Sequence, residues 1–285
     1  MLKGDQNKKP TIDEFISQSS VPFNKSKEEI WTQLESKLNN SNKKRILPVK
    51  RQFVLYAAAA IIVIILGSTF LRFFSKSILC EKGEHVSYML PDGSNVYLNA
   101  DSRISYKPFW WFVSRELELE GEAYFEVTKG KEFIVHSDLG STEVLGTSFD
   151  IYTRNKSYNV LCKTGKVKVK VHPNGEENIL TSGLYLSFNA EDQASLVEEI
   201  IPHRILSWTN GIFNFEAMKL SRVFDEIERQ YDIVINVEDQ SVLNEKYSGS
   251  FKRTEDVDFI LDIICQPLNL NYVWKNNDVI VISKK

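Results

Sequence analysis

From Phe53 to Leu71 the chain runs nineteen residues, FVLYAAAAIIVIILGSTFL, without a charge. At about 1.5 Å per residue, a helix of that length spans roughly 28 Å, close to the ~30 Å hydrocarbon core of a bilayer. Eleven of the nineteen are Phe, Val, Leu or Ile. Each favours insertion by about 0.3–0.6 kcal/mol at mid-helix, and no Lys or Arg is present to cost its ~3 kcal/mol. The run predicts one transmembrane helix over residues 52–74. A signal peptide fits poorly. The run starts far from the N-terminus, exceeds an h-region of about 7–15 residues, and is followed by Phe70-Leu71-Arg72-Phe73-Phe74 where a small-residue cleavage site would stand. A buried helix of a soluble core is the plain alternative.

Upstream, residues 1–51 are too few for a core of their own but carry helix signals. Ser26-Lys27-Glu28-Glu29 is a capping box, in which Ser26 and Glu29 each satisfy a first-turn backbone donor. Ile30, Trp31, Leu34 and Leu38 follow at helical spacing and form one apolar stripe. A weaker start stands at Thr11 with Glu14, before Phe15 and Ile16. A helix of about twelve residues is marginal alone in water. The stripe is therefore expected to fold onto a partner, with an amphipathic helix lying on the membrane surface as the alternative.

Downstream, from Glu84 to about Pro202, apolar and polar residues alternate between turns. Val96, Leu98 and Ala100 alternate after the turn Pro91-Asp92-Gly93-Ser94. Leu117 and Leu119 alternate with Glu116, Glu118 and Glu120; Val167, Val169 and Val171 alternate with Lys166, Lys168 and Lys170. Further turns stand at Gly130, Gly165, Asn174-Gly175 and Gly183. The pattern predicts an all-β domain of many short strands over residues 80–202. The acidic row Glu116–Glu122 reads as a solvated strand face, since alternate residues share one face.

From about Trp208 the period changes. Phe213 and Phe215 are in phase on a strand. Leu220, Val223, Phe224, Ile227 and Tyr231 then mark a helix with one buried face, and Ile233–Val237 is a second strand. The order repeats with Ser248–Phe251, a helix through Val257, Ile260, Leu261, Ile264 and Leu268 capped by Thr254 or Asp256, and a hairpin of Tyr272–Trp274 and Val279–Ile282. This predicts a small α/β domain, βαβ-βαββ, over residues 207–285, with Ile200–Leu206 as linker. The whole is a multi-domain membrane protein: a short N-terminal helical arm (1–51), one transmembrane helix, an all-β domain and a small C-terminal α/β domain.

Charge separates the two sides of the span. Residues 1–51 hold eleven Lys and Arg against six Asp and Glu, whereas the remainder is acidic and brings the net charge to −3. Close to the span, Lys37, Lys43, Lys44, Arg45, Lys50 and Arg51 precede it, against Arg72, Lys76 and Lys82 after it. The positive-inside rule then puts the N-terminus in the cytoplasm. An acidic folded portion argues against direct nucleic-acid binding.

The chemistry expected of an enzyme is missing from the sequence. HExxH, GxSxG, GxxxxGK[ST] and GxGxxG are all absent, and Lys163-Thr164-Gly165-Lys166 lacks the upstream glycine of a phosphate loop. His85, His136, His172 and His203 are scattered. Cys80, Cys162 and Cys265 have no metal-ligand spacing; buried free thiols are expected, although one pair could bond. No metal or cofactor is expected.

Three segments carry a family resemblance. LPDGSNVYLNADSRISY (90–106), GEAYFEV (121–127) and VLGTSFDI (144–151) resemble, in order and spacing, the periplasmic domain of the FecR family of transmembrane sigma-factor regulators. The last 75 or so residues are similar to the domain that follows in Bacteroidetes-type members, itself similar to the secretin/TonB short N-terminal module. VPFNKSKEEIWTQL (21–34) resembles their cytoplasmic arm. Pro108–Val113, Pro-Phe-Trp-Trp-Phe-Val, departs from the family's more polar connection. Phe109, Trp110, Trp111 and Phe112 could be an exposed partner patch, lie against the membrane, or pack under the β domain.

The resemblance implies an anti-sigma factor of cell-surface signalling in the bacterial inner membrane, with its N-terminus cytoplasmic and its bulk periplasmic. It implies two partners: an extracytoplasmic-function sigma factor, held by the arm at Ile30, Trp31, Leu34 and Leu38, and the periplasmic signalling domain of a TonB-dependent outer-membrane receptor that senses a nutrient. Regulated proteases that free the arm are implied as well. Some similar members cleave themselves at the Gly-Thr bond of the third motif, here Gly146-Thr147. Glycine permits a strained peptide there, and the Thr147 hydroxyl could attack the Gly146 carbonyl. The other account gives Gly146 a bulge or tight turn and Thr147 a strand position. Two further functions compete: a membrane-anchored structural or assembly protein docking an outer-membrane channel, and an anchored periplasmic enzyme.

Overall fold

The structure, a computed structural model, describes residues 12–13, 24–41 and 51–285. It divides into two units, Met1–Ile62 and Val63–Lys285. Lys27–Ser41 forms helix α1. Its capping box closes as expected, Glu29 N–H donating to Ser26 Oγ at 3.3 Å and Ser26 N–H to Glu29 Oε2 at 3.1 Å. Ile12 and Asp13 are helical; Thr11, Glu14 to Ile16 and the run Lys43-Lys44-Arg45 lie outside the described residues. Arg51–Phe73 forms helix α2, with no buried residue. Among the described residues it alone is long and apolar enough to cross a membrane.

Thirteen strands follow: β1 (Lys76–Cys80), β2 (Val86–Met89), β3 (Asn95–Leu98), β4 (Ser102–Tyr106), β5 (Arg115–Glu126), β6 (Phe133–His136), β7 (Gly140–Val144), β8 (Ser148–Arg154), β9 (Ser157–Thr164), β10 (Lys166–Val171), β11 (Glu177–Thr181), β12 (Leu184–Asn189) and β13 (Ala194–Glu199). They make two layers that share β5. Its first half pairs with β4 and, in parallel, with β6. Its second half, from Gly121, pairs with β3 and β8. One layer runs β1-β4-β5-β6-β7-β10-β11, the other β2-β3-β5-β8-β9-β12-β13. The chain changes layer at Gly121, whose φ is +100°. A Cβ there would lie 2.8 Å from Ser102 Cα, so only glycine lets the two strands approach this closely.

The alternating apolar residues of both layers meet in one core. Phe125 stacks on Phe149 at 5.0 Å and meets Phe133 of the other layer edge-on at 6.2 Å. Cys80 and Cys162 are buried in the same core, and Cys265 in the next; all three are free. The turn at Asp92 is tied down by a buried ion pair with Arg115 at 2.8 Å. Burial alone would raise the Asp92 carboxyl, but hydrogen bonds from Arg115 and Ser94 outweigh it and hold the group below its ordinary value.

After β13 come a short helix α3 (Pro202–Ile205) and a 3₁₀ turn, Leu206–Asn210. Then follow β14 (Ile212–Lys219), α4 (Leu220–Tyr231), β15 (Val234–Val237), β16 (Lys246–Lys252), α5 (Val257–Cys265), β17 (Leu270–Trp274) and β18 (Val279–Lys284). β14 pairs with β16; β18 pairs in parallel with β15 and antiparallel with β17. Leu220, Val223, Phe224 and Ile227 of α4 and Ile260, Leu261 and Ile264 of α5 are buried in the shared core. Asp256 caps α5, its Oδ1 accepting from Phe259 N–H at 3.1 Å.

Candidate functional site

On α1, Trp31 is 58% exposed, Leu34 46% and Leu38 60%, with Ile30 half-buried on the same helix. Apolar side chains as large as Trp31 and Leu34, exposed on a capped helix, mark a surface suited to a partner.

The aromatic run after β4 divides. Trp111 is a core residue, edge-on to Tyr106 at 5.2 Å and to Phe133 at 5.7 Å. Trp110 is half-buried, whereas Phe109 and Phe112 are exposed. The run folds as consecutive turns, so neighbouring side chains point in different directions and only one can reach the core.

Gly146 and Thr147 lie just before β8. A Cβ on Gly146 would lie 2.7 Å from Lys129 Cα. Thr147 is 4% exposed, and its Oγ1 donates to the Lys166 carbonyl at 3.0 Å. The β8–β9 register shifts at Ser148–Phe149, the mark of a bulge.

The densest polar cluster was not expected from the sequence. It lies on the outer face of the β2-β3-β5-β8-β9-β12-β13 layer. In β8, Phe149 and Ile151 face the core and Asp150 and Tyr152 face away from it. That face should be wet, but the segment after β13 and helix α4 cover it. Leu206 packs on Tyr124 and Leu161, and Trp208 Nε1 donates to Asp150 Oδ1 at 3.3 Å. From α4, Gln230 Nε2 donates to Asn99 Oδ1 at 2.7 Å, and Gln230 Oε1 lies 3.0 Å from His85 Nε2. Asn99 Nδ2 in turn donates to Glu122 Oε2 at 2.7 Å. Arg222 reaches Ser157 at 3.1 Å and Asn155 reaches Asp225 at 3.1 Å. A cavity of about 170 Å³ remains, lined by Glu122, Asp150, Tyr152, Tyr185, Trp208 and Arg229 among others.

This corrects the reading of Glu116–Glu122 as one solvated row. Glu116, Glu118 and Glu120 are exposed, but Glu122 is 8% exposed because β5 has changed layer at Gly121. Burial, and then the negative charge of Glu226, raise the Glu122 carboxyl to about 7, against the pull of Arg154, Asn99 and Arg229. Burial, then the Glu122 charge, raise Asp150 well above its ordinary value. Burial lowers His85, which favours the neutral ring. A carboxyl raised to about 7 keeps its proton for part of the time at neutrality, so burying Glu122 costs less than burying a fixed charge. The signal that could have revealed it is the loss of alternation in GEAYFEV after Gly121. Among the described residues, no group of His, Cys, Asp or Glu is arranged to hold a metal.

Comparison with known proteins agrees with this architecture. A family model described as FecR protein matches residues 76–168, from β1 into β10. One described as FecR, C-terminal, matches residues 212–282, from β14 into β18. Two crystal structures of a candidate anti-sigma factor from Parabacteroides distasonis ATCC 8503, at 1.65 and 2.50 Å resolution, are similar over 74% of this chain. They share 27% and 28% identity with it, at TM-scores of 0.67 and 0.68, and are themselves covered over 99% and 100% of their length. No curated protein matches the chain. With both FecR models matched in order, one on the β-sandwich and one on the α/β domain that closes over it, the chain belongs to the FecR family.

Proposed function

We propose that this chain is a single-pass inner-membrane anti-sigma factor. Its arm lies in the cytoplasm and holds an extracytoplasmic-function sigma factor. Helix α2 crosses the membrane, and the β-sandwich and α/β domain lie in the periplasm. There the signalling domain of a TonB-dependent outer-membrane receptor engages the α/β domain and reports a nutrient. Regulated proteolysis then frees the arm. The protein acts by binding and turns over no substrate.

The observation that carries this reading is the exposure of Trp31 and Leu34 on a capped helix that precedes a membrane-length apolar helix. The likeness to a candidate anti-sigma factor supports it. The open edges of β15 and β17, each of which pairs only with β18 among the described strands, suit strand addition by a periplasmic partner. Its test is co-purification of a sigma factor with the full chain from its native cell. Wild type should retain one, and Trp31→Ala and Leu34→Asp should each lose it. A wild-type chain that retains none rejects the anti-sigma reading; variants that still retain it move the binding site off α1.

A further inference from the structure

The exposed aromatic turn after β4 has a place in the molecule that says what covers it. We infer that the turn Phe109–Val113 is a second membrane contact, seated in the lipid interface of the leaflet from which α2 emerges; this rests on the membrane-spanning reading of α2.

The turn adjoins the end of the apolar helix. The Phe109 ring is 5.6 Å from that of Phe74, which is itself 5.6 Å from that of Phe70. The Arg72 guanidinium lies 4.5 Å over the Trp110 ring. Phe112 is 75% exposed and Val113 61%, so the apolar surface of the helix end continues without a break onto the turn. Whatever medium surrounds Phe70 and Phe74 therefore also meets Phe109.

The turn is built to enter an interface. Part of its backbone is satisfied locally: Trp110 N–H donates to the Lys107 carbonyl at 3.1 Å and Val113 N–H to the Trp110 carbonyl at 2.9 Å. It is held from below by Trp111, whose ring is locked between Tyr106 and Phe133, so the projecting side chains cannot simply fold back into the core. The flanks are basic: Arg72, Lys76, Lys107 and Lys131, the last reaching the Phe112 carbonyl at 3.4 Å. Aromatic side chains with a fringe of Lys and Arg suit the headgroup boundary of an anionic membrane, where rings meet the acyl edge and cations meet phosphate. A spanning helix by itself lets the domain swivel about one point. A second contact fixes its tilt.

The test uses the full chain in vesicles of phosphatidylethanolamine and phosphatidylglycerol with brominated acyl chains. A fluorescent thiol label is placed at Phe112→Cys, Val113→Cys, Leu196→Cys on β13, an edge strand of the layer that does not contain β4, or Ile64→Cys within α2. The native cysteines are buried and leave these sites to the label. Phe112 and Leu196 are exposed, so substitution should spare the fold. Labels at 112 and 113 should be blue-shifted and quenched at least about twofold more than at 196, as surface-seated side chains are. Quenching at 112 and 113 no greater than at 196, with 64 quenched, overturns the second contact and leaves the span intact. A label at 64 that is not quenched overturns the span, and the inference with it.

Discussion

The Arg253 guanidinium donates to the Gly83 carbonyl at 2.7 Å, across 170 positions of chain, and from the same nitrogen to the Gln230 carbonyl at 2.8 Å. Gly83 N–H returns a bond to the Arg229 carbonyl at 2.8 Å. One side chain following β16 thus pins the loop before β2 to the end of α4. Arg253→Ala leaves two carbonyls without their charged donor, and hydrogen bonds to charged groups contribute about 1.5–3 kcal/mol each. We expect the full chain in detergent to lose about 2–3 kcal/mol in urea unfolding, with faster tryptic cleavage near residues 199–211. Unchanged unfolding and unchanged cleavage would show that the seam does not depend on this pin.

The raised carboxyl of Glu122 makes stability depend on pH, with a definite sign. A carboxyl whose folded value, about 7, exceeds its unfolded one is protonated in the folded state while the unfolded chain has already released the proton. Its contribution is complete below the unfolded value and is lost as pH rises through about 7. Glu226 and Arg229 on α4 and Arg154 and Asp150 on β8 face it, and His85, whose value is lowered, acts with the opposite sign at acid pH. The readout is therefore a difference. Wild type should lose thermal stability relative to Glu122→Gln between pH 5 and pH 8, by on the order of a few kcal/mol. Parallel profiles would contradict the buried, protonated carboxyl.

Gly121 is where β5 leaves one layer for the other. Ala there must adopt a φ of +100° and bring its Cβ to 2.8 Å from the Ser102 backbone. Strain and overpacking together should cost about 2–4 kcal/mol, visible as a lower urea midpoint. A midpoint at the wild-type value would mean that the crossing tolerates a side chain.

The Thr147 hydroxyl is committed to the Lys166 carbonyl, and Gly146 is pressed against Lys129. Self-cleavage would require the hydroxyl to leave that bond and attack the Gly146 carbonyl in an N-to-O acyl shift, its proton passing to the Thr147 nitrogen, and water then to hydrolyse the ester. We expect the purified full chain to give the mass of one uncut polypeptide. Two co-purifying pieces divided before Thr147 would reverse this and make the bond a processing site.

Much of the fold was open to sequence reasoning because its elements are amphipathic over their own length. Leu117 and Leu119 against Glu116 and Glu118 declare a strand, and Leu220, Val223, Phe224 and Ile227 declare a helix. The capping box of α1 is complete within four residues. The layer change at Gly121 is different in kind, since a local period cannot say that the partner strands on both sides have been exchanged. Trp111 was hidden for a related reason: in an unbroken apolar run, only the direction of each turn decides which ring goes inward. The polar seam was least visible. Asn99, Glu122, Asp150 and Gln230 are each unremarkable where they stand, and are buried together because α4, with Gln230, and the turn that carries Trp208 close over a sheet face that its own alternation marks as wet.

The two layers cannot be peeled apart like leaves, because a single strand is stitched through both. A tug on the α/β domain would be carried into the sandwich as a whole and would meet, at the boundary between them, the seam, whose polar contacts are replaceable by water. The sandwich is therefore one stiff body, and the seam above it is held in part by contacts at Glu122, Asp150 and Gln230 that water can replace, beside the apolar packing of Leu206 on Tyr124 and Leu161.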